Sequence, residues 1–509
     1  MTSSPSTTTA VSSMTQRPWL LWTLCLLVSL LGRYLVSIHS YSGHATPPMF
    51  GDFEAQRHWM EITTNLASSQ WYFNTTDNNL QYWGLDYPPL TAYSSWLFGK
   101  VAEKIEPGLV QLFTSRGYET PSSKLFMRMT VIISDMFIWL PSVYFFVRSF
   151  YSDRSLIQRS CAFLFISLQP GLLLIDHGHF QYNGISLGFA LFAITFIVRR
   201  QHLLASFFFV LSLNYKQISL YYSPVFFFYL LFANLSFTDL LKSIGKIMSI
   251  GVTVISTFIV CWLPFLSLEQ ITQLLIRLFP TARGLFEDKV ANFWCVFSVV
   301  VNFKSRFTHE IMLRICTLST LTVFSPIIYP LWKSSKDIKR HGLVFIQALI
   351  ICSFAFFLFS FHVHEKTILF PMLPISLLVL HFPFITWWFG VISTFSMFPL
   401  LFKDGLILPY FVCQIVYFVL GYQWVQRLEA NNNKSSNLWQ YSFLILNVIT
   451  MVLCHILFQF IKPPVHLPAL FLLLVAVVSF VHFGLTYLYF VVQMFKCSAT
   501  NNNNKTKSH

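Results

Sequence analysis

Residues 19–38, Trp-Leu-Leu-Trp-Thr-Leu-Cys-Leu-Leu-Val-Ser-Leu-Leu-Gly-Arg-Tyr-Leu-Val-Ser-Ile, form an apolar run of the length that crosses a bilayer core, about 20 residues. A polar Ser/Thr-rich stretch ending in Arg17 precedes it. A cleaved secretory signal is the rival reading, but the run is long and no small-residue cleavage site stands out, so it reads as a retained span. The whole chain is built alike. With 55% hydrophobic and only 11% charged residues over 509 positions, it has too little polar surface to cover a soluble globule. The fold class is therefore an all-α polytopic membrane protein. A net charge of +14 raises the question of nucleic acid, but the Lys and Arg residues sit in short clusters between apolar stretches. That is the positive-inside pattern, and no nucleic-acid partner is expected.

Further apolar segments fall near residues 124–148, 160–176, 184–198, 203–214, 218–235, 247–266, 310–331, 343–361, 366–381, 383–402, 406–426, 438–461 and 469–495. With the first, these make about fourteen helices, of which 203–214 is short enough to be re-entrant. Basic clusters at Arg148, Arg154 and Arg159, at Arg199 and Arg200, at Lys242 and Lys246, and at Lys333, Lys336, Lys339 and Arg340 all fall on one side, read as cytosolic. Residues 1–17 and 496–509 are then cytosolic tails, and 18–495 is a single transmembrane unit. Its two long loops, 39–123 and 267–309, face the opposite compartment. The first loop holds 8 of the 20 acidic residues, so acidic chemistry is concentrated on that side. It also carries the sequon Asn74-Thr-Thr, a candidate glycan acceptor, whereas the sequons at Asn234, Asn433 and Asn504 map to the cytosolic side. Lys505 and Lys507 near the end resemble a dilysine retrieval signal, or form a short solvated basic tail. Of nine cysteines only Cys295 lies in a long loop, which argues against a disulfide framework. No Gly-rich phosphate loop, zinc spacing or GxSxG elbow is present, so nothing supports a nucleotide-driven pump.

The charged motifs gather on the side of the long loops. In Gly51-Asp-Phe-Glu-Ala-Gln-Arg-His-Trp59, Asp52 and Glu54 would point about 200° apart on a helix. Asp52 fits an N-cap for an amphipathic helix over Phe53–Thr64. It equally fits a general base at the membrane surface, with Arg57 and His58 tuning its charge or binding an anion. Trp83-Gly-Leu-Asp-Tyr-Pro-Pro89 sets Asp86 and Tyr87 either in a proline-fixed turn or among aromatics that hold a sugar. In Phe361-His-Val-His-Glu-Lys366, His362 and His364 would share a metal only on an extended segment, and His364 and Lys366 are preferred as phosphate contacts. Asp176-His-Gly-His179-Phe-Gln-Tyr-Asn183, Asn214-Tyr-Lys-Gln217 and Arg283-Gly-Leu-Phe-Glu-Asp-Lys289 add further polar groups. Asp135, in mid-span, is costly unless it has a partner, and fits either a buried structural contact or part of a proton path.

Taken together with Ser40-Tyr-Ser-Gly43, Leu85-Asp-Tyr-Pro-Pro89, Gly178-His-Phe-Gln-Tyr-Asn183, Leu285-Phe-Glu-Asp-Lys-Val-Ala-Asn292 and Val363-His-Glu-Lys366, these motifs resemble the dolichyl-phosphate-glucose glucosyltransferases of the endoplasmic reticulum, a GT-C family. The resemblance runs from about residue 18 to 495 and thins after 406. Within the family, the Glu-Ala-Gln-Arg-His-Trp form is closer to members that add the first glucose, an α-1,3 linkage, than to those that add the second.

The resemblance implies an inverting transfer of glucose from dolichyl phosphate glucose to a dolichyl diphosphate oligosaccharide, at the lumenal face of the endoplasmic reticulum bilayer. It puts Asp52 at the family's base position, with Asp86 placing acceptor or donor glucose. Glu54, Arg57, Tyr87, His179 and Glu365 are further substrate-binding candidates, and His364, Lys366 and Arg283 are candidates for the lipid phosphate. A donor with one phosphate does not demand a bridging cation, so no metal or cofactor is expected, although Asp52-Phe-Glu54 has the form of an acidic pair that binds metal in some GT-C relatives. A lipid-linked sugar transporter would instead place polar groups near midplane, often with internal repeats. A noncatalytic scaffold would tolerate loss of Asp52.

Overall fold

The structure, a computed structural model, describes residues 17–279, 285, 289–431 and 438–499. Arg283, Asn433, Asn504 and the lysines of the C-terminal tail lie outside the described residues. The regular elements of the described residues are all helices. They begin with α1 (Pro18–Ser37), α2 (Asp52–Asn65), α3 (Pro89–Ile105), α4 (Pro121–Phe150), α5 (Leu156–Ser167) and α6 (Pro170–Phe180). There follow α7 (Asn183–Val198), α8 (His202–Tyr215), α9 (Ser223–Asn234), α10 (Leu240–Cys261) and α11 (Leu268–Leu278). Helices then occupy the remaining apolar segments as far as Leu470–Ala499.

Among the described residues, eight helices are long and apolar enough to cross a membrane, and α5 with α6, bent by 44°, makes a ninth if the pair is one span. Apolar α7 and α8 are shorter, at 16 and 14 residues. Helix α7 is buried along almost its whole length, so its apolar character reflects packing against protein as much as lipid. On α10 the balance is reversed: Met248, Val252, Ile255 and Val260 are exposed, as for a helix solvated by acyl chains. These helices fit a multi-pass membrane protein. All nine cysteines are free thiols.

The chain divides into two compact units, residues 1–217 with 252–279 and 404–409, and residues 218–251 with 280–403 and 410–509. In the first, Thr120 and Ser123 form a reciprocal capping box that starts α4, and Pro121 takes the first helical position where no amide hydrogen is missed. A π-helical turn interrupts α4 at Asp135–Trp139, and a second one forms the end of α6 at Leu174–Phe180. Such turns re-aim side chains within a helix and are common at functional sites. The partner that Asp135 requires is Arg33 of α1, whose Nε lies 2.7 Å from Asp135 Oδ2, while His177 Nε2 lies 3.0 Å from the same oxygen. Arg33 also donates to the Ser29 and Ser167 carbonyls at 3.0 and 3.1 Å. One buried cluster thus ties α1, α4, α5 and α6 together.

The first long loop is a folded structure. One apolar cluster joins Phe53 and Met60 of α2 to Tyr41, Val131 and Phe180, and another joins Trp59 and Ile62 to Tyr72, Leu85 and Leu274. Helix α11 is strapped to this loop by side chains that reach its carbonyls. Gln270 donates to Ser69, Gln273 to Tyr72, and Arg277 to both Gly84 and Leu85.

In the second unit the helix His341–Phe359 is buried almost throughout. Nearby, Leu285, Trp294, Met312 and Cys316 form an apolar cluster, and Trp294 Nε1 donates to the Phe359 carbonyl at 2.8 Å.

Candidate active site

The segment before α2 is shaped by two glycines. Gly51 has φ 101° and Gly43 φ 77°, and a Cβ on Gly43 would fall 0.6 Å from the Phe50 carbonyl oxygen. Only glycine allows the chain to close on itself here. The closed segment docks on α6: the Ser42 amide donates to the His179 carbonyl at 3.1 Å, and Arg128 Nη2 donates at 2.8 Å to the carbonyls of both Ser40 and Gly178.

Helix α2 starts at Asp52 with Gly51 as its cap, so Asp52 is the first helical residue and not the N-cap. Nor is the helix amphipathic in the sense expected of a surface helix, because residues 53–63 are buried on every side. Its charges are buried because they satisfy one another. Arg57, wholly enclosed, holds Glu54 through two 2.7 Å bonds and Glu61 through a third, and its Nη1 reaches the Leu109 carbonyl at 2.8 Å and Ser115 Oγ at 2.5 Å. Glu54 also accepts from the Tyr82 hydroxyl at 2.7 Å. Glu54 and Arg57, two candidates for substrate contact, are thus enclosed in the loop scaffold. The two carboxylates of Asp-Phe-Glu diverge, as helical geometry requires for positions two apart.

Glu61 shows what this network does. Burial pushes its carboxyl up, but the His58 hydrogen bond and the charge of Arg57 outweigh burial and hold it down at about 2. An ionised Glu61 therefore stabilises the fold fully above its unfolded value of about 4.3, and the contribution is lost as pH falls from there toward 2. Thermal unfolding in detergent should show a midpoint that drops through this window. Glu61→Gln should flatten the dependence while costing on the order of 3 kcal/mol at neutral pH. A wild-type midpoint that stays level from pH 5 to 3 would contradict the network.

Asp52 points the other way, with its side chain about one-fifth exposed. Its Oδ2 lies 3.0 Å from His179 Nε2 and accepts from the Gln181 amide. His179 Nδ1 lies 2.5 Å from Asp404 Oδ2. Gln181 is in turn held by buried Lys216, whose Nζ donates at 2.8 Å to Gln181 Oε1 and at 2.9 Å to Asn183 Oδ1. His179, a substrate-binding candidate, lies between two carboxylates.

The Asp86 turn packs beside this group. Lys216 Nζ lies 4.8 Å from the centre of the Tyr87 ring, and Trp59 meets that ring edge-on at 5.0 Å. Backbone bonds fix the turn: Gln217 Nε2 donates to the Asp86 carbonyl at 3.0 Å and the Tyr72 hydroxyl to the Tyr87 carbonyl at 2.8 Å. Asp86 and Tyr87 remain half-buried, and Asn74 is exposed.

His364, Glu365 and Lys366 belong to the second unit, where they are half-buried around a short 3-10 turn. There the His362 amide donates to the Leu285 carbonyl at 2.9 Å. Among the described residues no three His, Cys, Asp or Glu side chains are arranged to hold a metal ion.

A carboxylate at the start of a buried helix, hydrogen-bonded from behind by His179 and Gln181 and beside an aromatic turn, suits proton abstraction from a sugar hydroxyl. The sequence pattern of the ALG6, ALG8 glycosyltransferase family matches residues 23–489. The chain belongs to this family. Several of its relatives match over almost their whole length. The chain is 61% identical to the Dictyostelium discoideum protein named "Probable dolichyl pyrophosphate Man9GlcNAc2 alpha-1,3-glucosyltransferase", covering 92% of this chain and 94% of that one. Proteins of Gallus gallus and Saccharomyces cerevisiae named "Dolichyl pyrophosphate Man9GlcNAc2 alpha-1,3-glucosyltransferase" are 43% and 39% identical. The match covers 96% of this chain and 99% of the Gallus protein, and 94% of this chain and 92% of the Saccharomyces protein.

The family match takes in every described residue of the Asp52 cluster, including Asp404, which sequence reasoning did not single out. Its only signal was an acidic residue in Lys403-Asp-Gly405, between two apolar runs.

Proposed function

We propose that this chain transfers glucose from dolichyl phosphate glucose to the terminal mannose of a dolichyl diphosphate-linked nine-mannose oligosaccharide. The transfer proceeds with inversion and makes the α-1,3 bond of the first glucose in N-glycan precursor assembly. The observation that carries this reading is identity of 39–61%, over nearly the full chain, to relatives whose names state that linkage and that acceptor.

The chemistry follows from the residues. Asp52 removes the proton of the mannose hydroxyl as its oxygen attacks the anomeric carbon, and the bond from that carbon to the phosphate oxygen breaks. No covalent intermediate is needed. The departing lipid phosphate gains negative charge and needs cations to stabilise it, the role proposed from the sequence for His364, Lys366 and Arg283. Asp86 and Tyr87 position the sugars, with the ring pair of Tyr87 and Trp59 supplying an apolar face.

The membrane arrangement belongs to the same proposal: a GT-C type fold of about fourteen spans in the endoplasmic reticulum membrane, both termini cytosolic. The loops 39–123 and 267–309 are lumenal, with the reaction at their surface. Helix on each of the fourteen apolar segments supports it. Exposed Asn74 then becomes a glycan acceptor.

The test is transfer by the purified protein, given dolichyl phosphate glucose and lipid-linked acceptors bearing either no glucose or one. Glucose is expected only on the first. A preference for the monoglucosylated acceptor would assign the chain to the second step, and transfer to neither would overturn the reading.

A further inference from the structure

We propose that His179 and Asp404 form a charged positioning pair behind Asp52, holding the base oriented and ionised while the acceptor hydroxyl approaches. The proposal rests on the assignment of Asp52 as base. His179 is buried on the π-helical end of α6, with Nε2 3.0 Å from Asp52 Oδ2 and Nδ1 2.5 Å from Asp404 Oδ2. Both ring nitrogens face carboxylate oxygens, and the imidazolium is the form that donates to both. A cation there favours the ionised form of Asp52, and Asp404 supplies the counter-charge that keeps the cation in a buried place.

The folding of the chain supports a dedicated role. Asp404 is some 225 residues from His179 in sequence, yet it belongs to a six-residue stretch, 404–409, that returns to the first unit. Gly405, which follows it, has φ 72°, in the left-handed region that favours glycine. On the other side, Gln181, fixed by Lys216, donates to the same Asp52 oxygen. Two donors on one oxygen set the plane of the carboxylate. In the reaction, the hydroxyl O–H bond breaks and its proton goes to the Asp52 carboxylate, while His179 keeps both of its protons.

Other charged groups lie close to this cluster: Arg128 from α4, which donates to the Gly178 carbonyl, and Lys216 at the end of α8, which holds Gln181. Asp176 and His177 on α6 itself are engaged elsewhere, with Asn183 and Gly184 and with Asp135. They are common to wild type and variants, so a difference between the pH profiles reports the pair.

The experiment is kcat/KM against pH for the full-length protein in detergent, with dolichyl phosphate glucose as donor, for wild type, Asp404→Asn, His179→Asn, Asp404→Glu and Asp52→Asn. Losing the His179 charge, directly or because Asp404 no longer holds the imidazolium, should move the acidic limb to higher pH by at least about one unit. It should also lower kcat about tenfold or more, with the donor KM unchanged. Asp404→Glu should restore the limb. His179→Asn can still donate to Asp404 from the place of Nδ1 but carries no charge beside Asp52, so it tests the pair even if Asp404→Asn fails to fold.

Limbs that stay at the wild-type position in the charge-removing variants, with activity tracking only the folded fraction, would overturn the proposal. Asp52→Asn separates the two claims. Full turnover in that variant removes the base assignment itself, whereas its loss alongside unmoved limbs removes only the pair.

Discussion

Replacing Arg33 by alanine is expected to destabilise the detergent-solubilised protein by about 3–5 kcal/mol, the cost of stranding a buried charge. Arg33 is wholly enclosed on α1, and its guanidinium meets Asp135 at 2.7 Å as well as two backbone carbonyls. Without it, Asp135 keeps only His177 among these partners. A carboxylate within a membrane helix is costly unless paired, and the carbonyls of Ser29 and Ser167 would lose a donor at the same time. The loss should be read as a fall in thermal midpoint and in folded yield. The paired change Arg33→Met with Asp135→Leu removes both charges and should recover most of the loss, because a well-packed apolar pair replaces a buried ion pair at little cost. A single Arg33→Ala change costing under about 1 kcal/mol would show that the cluster is not holding α1, α4 and α6 together.

Much of this architecture could be read from residues 19–38 and the segments like them, because an apolar stretch of span length has few alternatives to a helix in lipid. The family was legible too, since the motifs from Ser40 to Lys366 occur together and in order, and the family match extends past residue 406 to 489. What the sequence does not disclose is direction. Spacing shows that Asp52 and Glu54 diverge, but not which of them turns inward. That is decided by Ser115, Leu109 and Tyr82, all distant in sequence, which complete the cage around Arg57 and Glu54. His179 was visible as a polar residue in a motif, whereas Asp404 was not, since no local pattern marks a residue whose partner lies 225 positions away. A mid-span carboxylate such as Asp135 is costly without a partner, and which residue answers it depends on the packing of three helices.

The second large effect concerns the chemistry. Asp52→Asn should reduce transfer by about 10³-fold, within the range for removal of a general base. Asparagine is nearly the same size and keeps a carbonyl oxygen for Gln181, so the helix start and the closed segment 43–51 should be preserved, but it has no basic oxygen to receive the hydroxyl proton. The loss should fall on kcat, since the proposal assigns the donor phosphate to groups other than Asp52. The most direct measurement is single-turnover glucosyl transfer from dolichyl phosphate glucose by wild type and Asp52→Asn, with donor binding measured on the same preparations. Equal donor affinity and a transfer rate about 10³-fold lower in the variant are expected. Wild-type transfer by Asp52→Asn at equal folded yield would contradict the assignment of Asp52 as base.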